Sequence, residues 1–173
     1  GLYTETLRFN YSLHLILALL IILGGMGFPI AFNIFTFIRS KARRLVNQFM
    51  HHASSYKETR ILQINSRLAL ATTGILLLVG FLSYLTLEYR GSLQDHPTMI
   101  GKIITSFFGS VTPRTAGFNT VDLTKLTLPM VMLYLLFMWI GASPSSTGGG
   151  IKTTTFAVAL LNLLSVARSR KRT

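Results

Sequence analysis

The chain has 173 residues, of which 50% are hydrophobic and only 13% are charged, against roughly 25% charged residues in soluble domains. It has no cysteine, which excludes disulfides and thiolate metal sites. The formal net charge of +12 would suggest nucleic-acid binding in a soluble protein, but here the basic residues cluster between long uncharged segments. The composition predicts an all-α integral membrane protein in contact with lipid and with no nucleic acid as partner.

The first uncharged segment, residues 9–38, is long enough to cross a bilayer, since about 20 apolar residues suffice. We assign residues 1–38 to a first transmembrane helix. Its glycines and Pro29 predict close helix packing and a kink. His14 is interpreted as a packed or hydrogen-bonded histidine rather than an ion ligand.

Residues 39–67 form the next unit, which is polar and basic and is predicted to be a cytoplasmic connector. A second basic cluster follows residue 167, and lysine and arginine are enriched on the cytoplasmic side of membrane proteins. Residues 1–10 and 88–127 would then face outside. The basic residues of the two clusters are Arg39, Lys41, Arg43, Arg44, Lys57, Arg60 and Arg67, then Arg168, Arg170, Lys171 and Arg172.

The third unit, residues 68–173, begins with an uncharged helix over 68–87 and an outer loop that ends at Pro97. Residues 98–111 predict a helix too short to span a bilayer, with Thr98 in the position of an N-terminal cap. Non-helical backbone follows at residues 115–119, which we call the TAGFN loop. A short helix and a turn between two membrane-spanning segments predict a re-entrant hairpin, in which backbone carbonyls are offered to an ion.

Within the TAGFN loop the chemistry suits a cation filter. The negative end of the short helix would favour a cation, and Gly117 would let the loop turn with its oxygens inward. Phe118 is expected to wedge the loop against its helices, Asn119 to brace the turn, and Arg114 to turn outward with Asp122 as its partner. The predicted filter residues are Thr115, Ala116, Gly117, Phe118 and Asn119, with potassium at Thr115, Ala116 and Gly117.

Residues 128–167 would form a helix of about 60 Å, twice the thickness of a membrane. Polar and small residues interrupt this segment, so two helices with an intramembrane loop between them are predicted. We call residues 141–152 the glycine-rich loop, and it would lie below the filter. Its candidate gate residues are Gly141, Ala142, Ser143, Ser145, Ser146, Thr147, Gly148, Gly149, Gly150 and Lys152.

Lys152 is the only basic residue deep in this apolar stretch, so it either adds to the electrostatics of a gate or reaches the surface. The glycine-rich loop is not a phosphate-binding loop, because Ile151 separates its last glycine from Lys152. Paired carboxylates, HxxxH spacing and Ser/His/Asp sets are absent from the sequence. No enzymatic activity and no cofactor are therefore expected.

Together, SVTPRTAGFNTVD at 110–122 and GASPSSTGGGIKTTT at 141–155 resemble the Trk/Ktr/HKT family of potassium transporters. The motifs are similar to the pore loop and the following helix of the third of four repeats, so the chain would be a fragment that starts at the end of the second repeat. The resemblance implies a potassium-channel-like helix, re-entrant pore loop, helix unit with one extra preceding transmembrane helix. Family patterns usually have glycine where this chain has Ala142 and Ser145.

The resemblance also implies a multi-pass protein of the bacterial inner membrane that transports potassium or another monovalent cation. A homodimer and a cytosolic nucleotide-binding regulatory subunit are the implied partners. Three alternatives stay open: a sodium-preferring transporter of the same family, a non-conducting structural or assembly subunit, and a channel formed by four copies of the chain.

Overall fold

The computed structural model describes residues 4–49, 64–114 and 116–168. Seven α-helices follow one another in this part of the chain, together with two short 3₁₀ turns, Ser92–Asp95 and Leu123–Lys125. The predicted all-α class is confirmed for the described residues. The helices are α1 (Glu5–Arg8), α2 (Tyr11–Met26), α3 (Phe28–Phe49), α4 (Ile64–Leu87), α5 (Met99–Val111), α6 (Leu128–Trp139) and α7 (Thr153–Ala167).

Helix α4 is the centre of the packing, because it contacts α5, α6 and α7, while α2 packs on the other side of α5. One buried cluster joins α4, the 3₁₀ turn Ser92–Asp95 and α6 through Tyr84, Leu93, Met130 and Tyr134. A second joins α2 to α5 through Ala18, Phe108 and Val111. The short helix α5 is thus held between two longer helices.

Within the described ranges, α4 is the one helix that is by itself long and apolar enough to cross a membrane, over Asn65–Leu87. Helices α5, α6 and α7 are apolar but have between 10 and 17 residues. Large apolar side chains are exposed on several helices, among them Leu19, Leu78, Leu135 and Leu163. Extensive apolar surface of this kind is expected where a protein meets lipid or other protein segments.

The first predicted helix differs from the observed one. Residues 9–38 were expected to form one kinked span, whereas α2 and α3 are separate helices bent by 105° at Gly27. Gly27 has a φ of +73°, a left-handed conformation that interrupts a right-handed helix.

The predicted connector, residues 39–67, is described only at its two ends. Helix α3 continues to Phe49 and α4 begins at Ile64, so both described ends of the 39–67 unit are helical. Lys57 and Arg60, and the terminal cluster of Arg170, Lys171 and Arg172, lie outside the described residues.

Candidate functional site

Helix α5, which precedes the TAGFN loop, has a capped N-terminus and packs closely on α2. The Thr98 hydroxyl accepts a hydrogen bond from the Gly101 amide at 3.2 Å, so the predicted cap is confirmed. A Cβ on Gly101 would overlap the ring and hydroxyl of Tyr11, which places the first turn of α5 directly against α2. With 13 residues, α5 is about 20 Å long, less than the thickness of a bilayer core.

The chain turns after α5 by means of Gly117. This glycine has a φ of +71°, in the left-handed region that side chains disfavour. An added Cβ would have no atom within 4 Å. Gly117 is therefore required for its backbone angle and not for lack of space. Thr115, the first residue of the TAGFN loop, lies outside the described residues.

The carbonyl groups of the TAGFN loop are not equivalent. Among the described residues, none donates a hydrogen bond to the carbonyl of Ala116 or Gly117. The Phe118 carbonyl, in contrast, accepts a hydrogen bond from the Thr112 hydroxyl at 2.8 Å. The Thr112 carbonyl also accepts a hydrogen bond from the Ala116 amide, at 3.3 Å. A residue that the sequence analysis overlooked thus holds the loop at two points.

Two expectations about side chains of this loop differ from the structure. The Phe118 ring is 46% exposed, so it is not wedged between the described helices. The Asn119 side chain makes no hydrogen bond within the described part of the chain, and the Thr112 hydroxyl braces the turn in its place. No pattern in a single sequence indicates this contact, because only the loop geometry brings residues 112 and 118 together.

The predicted pair of Arg114 and Asp122 is wrong. Asp122 is half-buried and caps the 3₁₀ turn Leu123–Lys125, where one carboxylate oxygen accepts hydrogen bonds from the Thr124 amide at 3.0 Å and the Thr124 hydroxyl at 2.8 Å. Arg114 does not turn fully outward, since its Nη2 atom is buried and has no partner among the described residues. The Asp122 carboxylate bonds to Thr124 and not to Arg114, because the Thr124 donors are only two residues away.

Two buried tyrosines, one on α4 and one on α6, contact the last turn of α5. The Tyr134 hydroxyl donates to the Gly109 carbonyl at 2.8 Å, and a Cβ on Gly109 would lie 2.6 Å from the Tyr84 ring. The rings of Tyr84 and Tyr134 are buried, with centroids 6.3 Å apart. The position of the TAGFN loop relative to α4 and α6 is consequently fixed by contacts in the last turn of α5.

Glu88, directly after the C-terminal end of α4, is a fully buried carboxylate that sequence reasoning missed. It accepts hydrogen bonds from the Thr127 amide at 2.8 Å, from the Thr127 hydroxyl at 2.7 Å and from the Ser92 amide at 3.1 Å. Burial raises the pKa of Glu88, but these hydrogen bonds outweigh it and the pKa is lowered. Glu88 therefore ties the end of α4 to the start of α6.

The N-terminal end of α2 is joined to α5 by a chain of polar contacts. The Tyr11 hydroxyl lies 3.2 Å from His96 Nδ1, and His96 Nε2 lies 3.4 Å from the Thr105 hydroxyl. His14 is fully buried and packs against Phe108, with ring centroids 5.5 Å apart. It is packed, as predicted, but neither ring nitrogen has a hydrogen-bond partner among the described residues.

The glycine-rich loop is closed at its base by backbone hydrogen bonds. The Gly141 amide donates to the Ile151 carbonyl at 2.9 Å, and the Ile151 amide donates to the Trp139 carbonyl at 3.0 Å. The Thr153 amide donates to the Ala142 carbonyl at 3.2 Å. A Cβ on Gly141 would overlap the Gly149 carbonyl. Helices α6 and α7 are therefore separated by a folded loop, which matches the interruption expected from the sequence.

The two ends of the glycine-rich loop have different environments. Gly141, Ala142 and Ser143 are buried, whereas Ser145, Thr147, Gly149 and Gly150 are exposed and Ser146 and Gly148 are half-buried. Ser145 has a φ of +62°, so the position where the family resemblance implies glycine does have a left-handed backbone here. The Lys152 ammonium group donates to the Gly148 carbonyl at 2.8 Å.

The loop is seated in the break between α2 and α3. The Ser143 amide donates to the Gly25 carbonyl at 3.0 Å, and a Cβ on Gly27 would lie 2.8 Å from the Ser145 carbonyl oxygen. The bend at Gly27 thus provides the space that the loop occupies. The sequence analysis explained these glycines by helix packing and missed the loop as their neighbour.

The described residues thus contain a short helix followed by a glycine turn, and then two half-length helices around a folded loop. The family model described as "TrkH: Cation transport protein" matches residues 5–172. The chain belongs to this family, and the resemblance found in its two motifs is confirmed.

Curated relatives are similar over most of the chain. Ktr system potassium uptake protein B of Vibrio alginolyticus is 36% identical over 156 residues, which cover 90% of this chain and 30% of that protein. Potassium/sodium uptake protein NtpJ of Enterococcus hirae is 30% identical over 163 residues, which cover 94% of this chain and 32% of that protein. Ktr system potassium uptake protein B of Bacillus subtilis is 34% identical over 164 residues, which cover 94% of this chain and 32% of that protein. The chain spans about a third of the length of these relatives.

Proposed function

We propose that the full-length protein carrying these residues transports potassium across a membrane, and that the TAGFN loop supplies part of its selectivity filter in a re-entrant hairpin. The observation that carries this proposal is the pair of Ala116 and Gly117 carbonyls, which receive no hydrogen bond from the described residues. They follow the C-terminal end of α5, whose dipole favours a cation. Such carbonyls can replace the hydration shell of an ion.

We further propose that the glycine-rich loop is the gate of this pathway. Its base is anchored by backbone hydrogen bonds and by the Gly25 carbonyl, while its tip is exposed. An anchored loop with a free tip can obstruct a pore and still move. Lys152 would add a positive potential that opposes cation passage.

The filter assignment is tested by replacing Gly117 with alanine or serine in the full-length protein. A side chain in the left-handed region costs about 1–2 kcal/mol, so the carbonyls should be misaligned and the preference for potassium over sodium should fall about fivefold or more. Uptake of both ions is measured in a host that lacks its own potassium uptake. Gly74→Ala is the matched control, because its added Cβ also meets no atom within 4 Å but φ is not positive there.

An unchanged ion preference in both Gly117 variants, at normal membrane abundance, would contradict the filter assignment. Absence of any cation uptake by the parent would favour the non-conducting subunit. The same measurement addresses sodium, which the name of the Enterococcus hirae relative includes: a parent that takes up sodium faster than potassium would be a sodium-preferring transporter.

The remaining parts of the proposal rest on the family resemblance. We place the full-length protein in the bacterial inner membrane as a homodimer, with a cytosolic nucleotide-binding regulatory subunit and no cofactor for transport. Cross-linking of the detergent-solubilised full-length protein should give dimers. Tetramers as the main product would instead favour a channel built from four copies.

A further inference from the structure

Thr112 is the residue through which α5 controls the TAGFN loop. It is buried and lies at the C-terminal cap of α5, where its amide donates to the Phe108 carbonyl at 3.0 Å. Its position is therefore set by the helix and not by the loop. From this position its hydroxyl donates to the Phe118 carbonyl at 2.8 Å.

The Phe118 carbonyl consequently differs from the two before it in having a hydrogen-bond donor among the described residues. The left-handed backbone at Gly117 reverses the course of the chain, and the next carbonyl points back towards α5, where the Thr112 hydroxyl meets it. The Ala116 and Gly117 carbonyls have no such donor among the described residues. Since a hydroxyl and a cation compete for the same oxygen lone pairs, an oxygen held by Thr112 is a poorer ion ligand.

We propose that Thr112 is a positioning residue that withdraws the Phe118 carbonyl from ion coordination and so determines which carbonyls of this loop bind the ion. The inference rests on the proposed function. It agrees with the potassium ligands predicted at Thr115, Ala116 and Gly117, and it gives a physical reason why the Phe118 carbonyl is not among them.

The test compares Thr112→Val with Thr112→Ser in the full-length protein. Valine keeps the branched shape and removes the hydroxyl, whereas serine keeps the hydroxyl. Freeing the Phe118 carbonyl should add a mobile oxygen to the pathway and lower the preference for potassium over sodium. Because a hydrogen bond contributes a free energy that corresponds to about threefold to tenfold in an equilibrium constant, a change of this size is expected in the ratio of the two KM values. Thr112→Ser should keep the ratio of the parent.

Ser110→Ala is the matched control on the same helix. The Ser110 hydroxyl is also buried and donates to a backbone carbonyl, but that carbonyl belongs to Phe107 within α5, at 2.7 Å. Its removal should leave the ratio of KM values unchanged. If Thr112→Val does not reach the membrane, Thr112→Ala removes the same hydroxyl without adding bulk and should give the same shift.

A ratio of KM values equal to that of the parent in Thr112→Val or Thr112→Ala would overturn the inference, as would an equal shift in Thr112→Ser. In both cases the hydroxyl would not control ion preference. Failure of the proposed function is distinguishable, because it would show as an unchanged ion preference in the Gly117 variants or as absence of uptake by the parent.

Discussion

The two non-helical loops of this protein use glycine for opposite reasons. Gly117 in the TAGFN loop has a left-handed backbone and empty space around its Cα atom, whereas Gly141 in the glycine-rich loop has no room for a side chain and no positive φ. The first loop is held mainly by one threonine side chain, and the second by a set of backbone hydrogen bonds. This difference fits the roles that we propose, a filter for the TAGFN loop and a gate for the glycine-rich loop.

The largest effect is expected from Gly141→Ala, which should lower the midpoint of thermal unfolding of the full-length protein. The added Cβ would overlap the Gly149 carbonyl, so the base of the loop must open, and overpacking of this kind costs about 1–3 kcal/mol. Gly24→Ala is the control, since its Cβ would meet no atom within 4 Å and alanine favours a helix. Equal midpoints for the two variants would show that the closed base is not formed.

A second effect should follow from deleting residues 145–149, the exposed tip of the glycine-rich loop. The base hydrogen bonds at Gly141 and Thr153 lie outside the deletion, so the protein should still insert. If the tip obstructs the pathway, the maximum uptake rate should rise about fivefold, which corresponds to a barrier lowered by about 1 kcal/mol. Ion preference should not change, because the filter is elsewhere.

Replacing the same five residues with a glycine and serine sequence of equal length is the control for this deletion, since it keeps the bulk of the tip. Uptake at or below the level of the parent in the deletion variant, at normal membrane abundance, would make the loop a packing element. That outcome would contradict the proposed gate role of the glycine-rich loop.

The smallest effect is expected from Lys152→Gln. The Lys152 ammonium donates to the Gly148 carbonyl, and glutamine can keep a donor while removing the positive charge. Uptake should therefore rise only about twofold, equivalent to roughly 0.4 kcal/mol of barrier. Lys152→Arg keeps the charge and should match the parent. A rise of the same size in both variants would assign the effect to the hydrogen bond and not to charge.

The sequence by itself determined the features that depend on local chemistry. Uncharged apolar runs predicted helices at α4, α6 and α7, Thr98 marked the start of α5, and Gly117 and the glycines at 148–150 located the two loops. These signals are readable because hydropathy, capping and the left-handed preference of glycine act within a few residues.

Only the tertiary structure decided how distant residues meet. The Glu88 carboxylate reaches Thr127, 39 positions away, and the Ser143 amide reaches Gly25 in the break before α3. The Arg114 prediction was wrong because Asp122 was already engaged by Thr124. Thr112 could not be found from the sequence, because its hydroxyl acts on Phe118 only after Gly117 has turned the chain back. Local patterns specify elements and turns, but side-chain partners depend on a packing geometry that no single segment encodes.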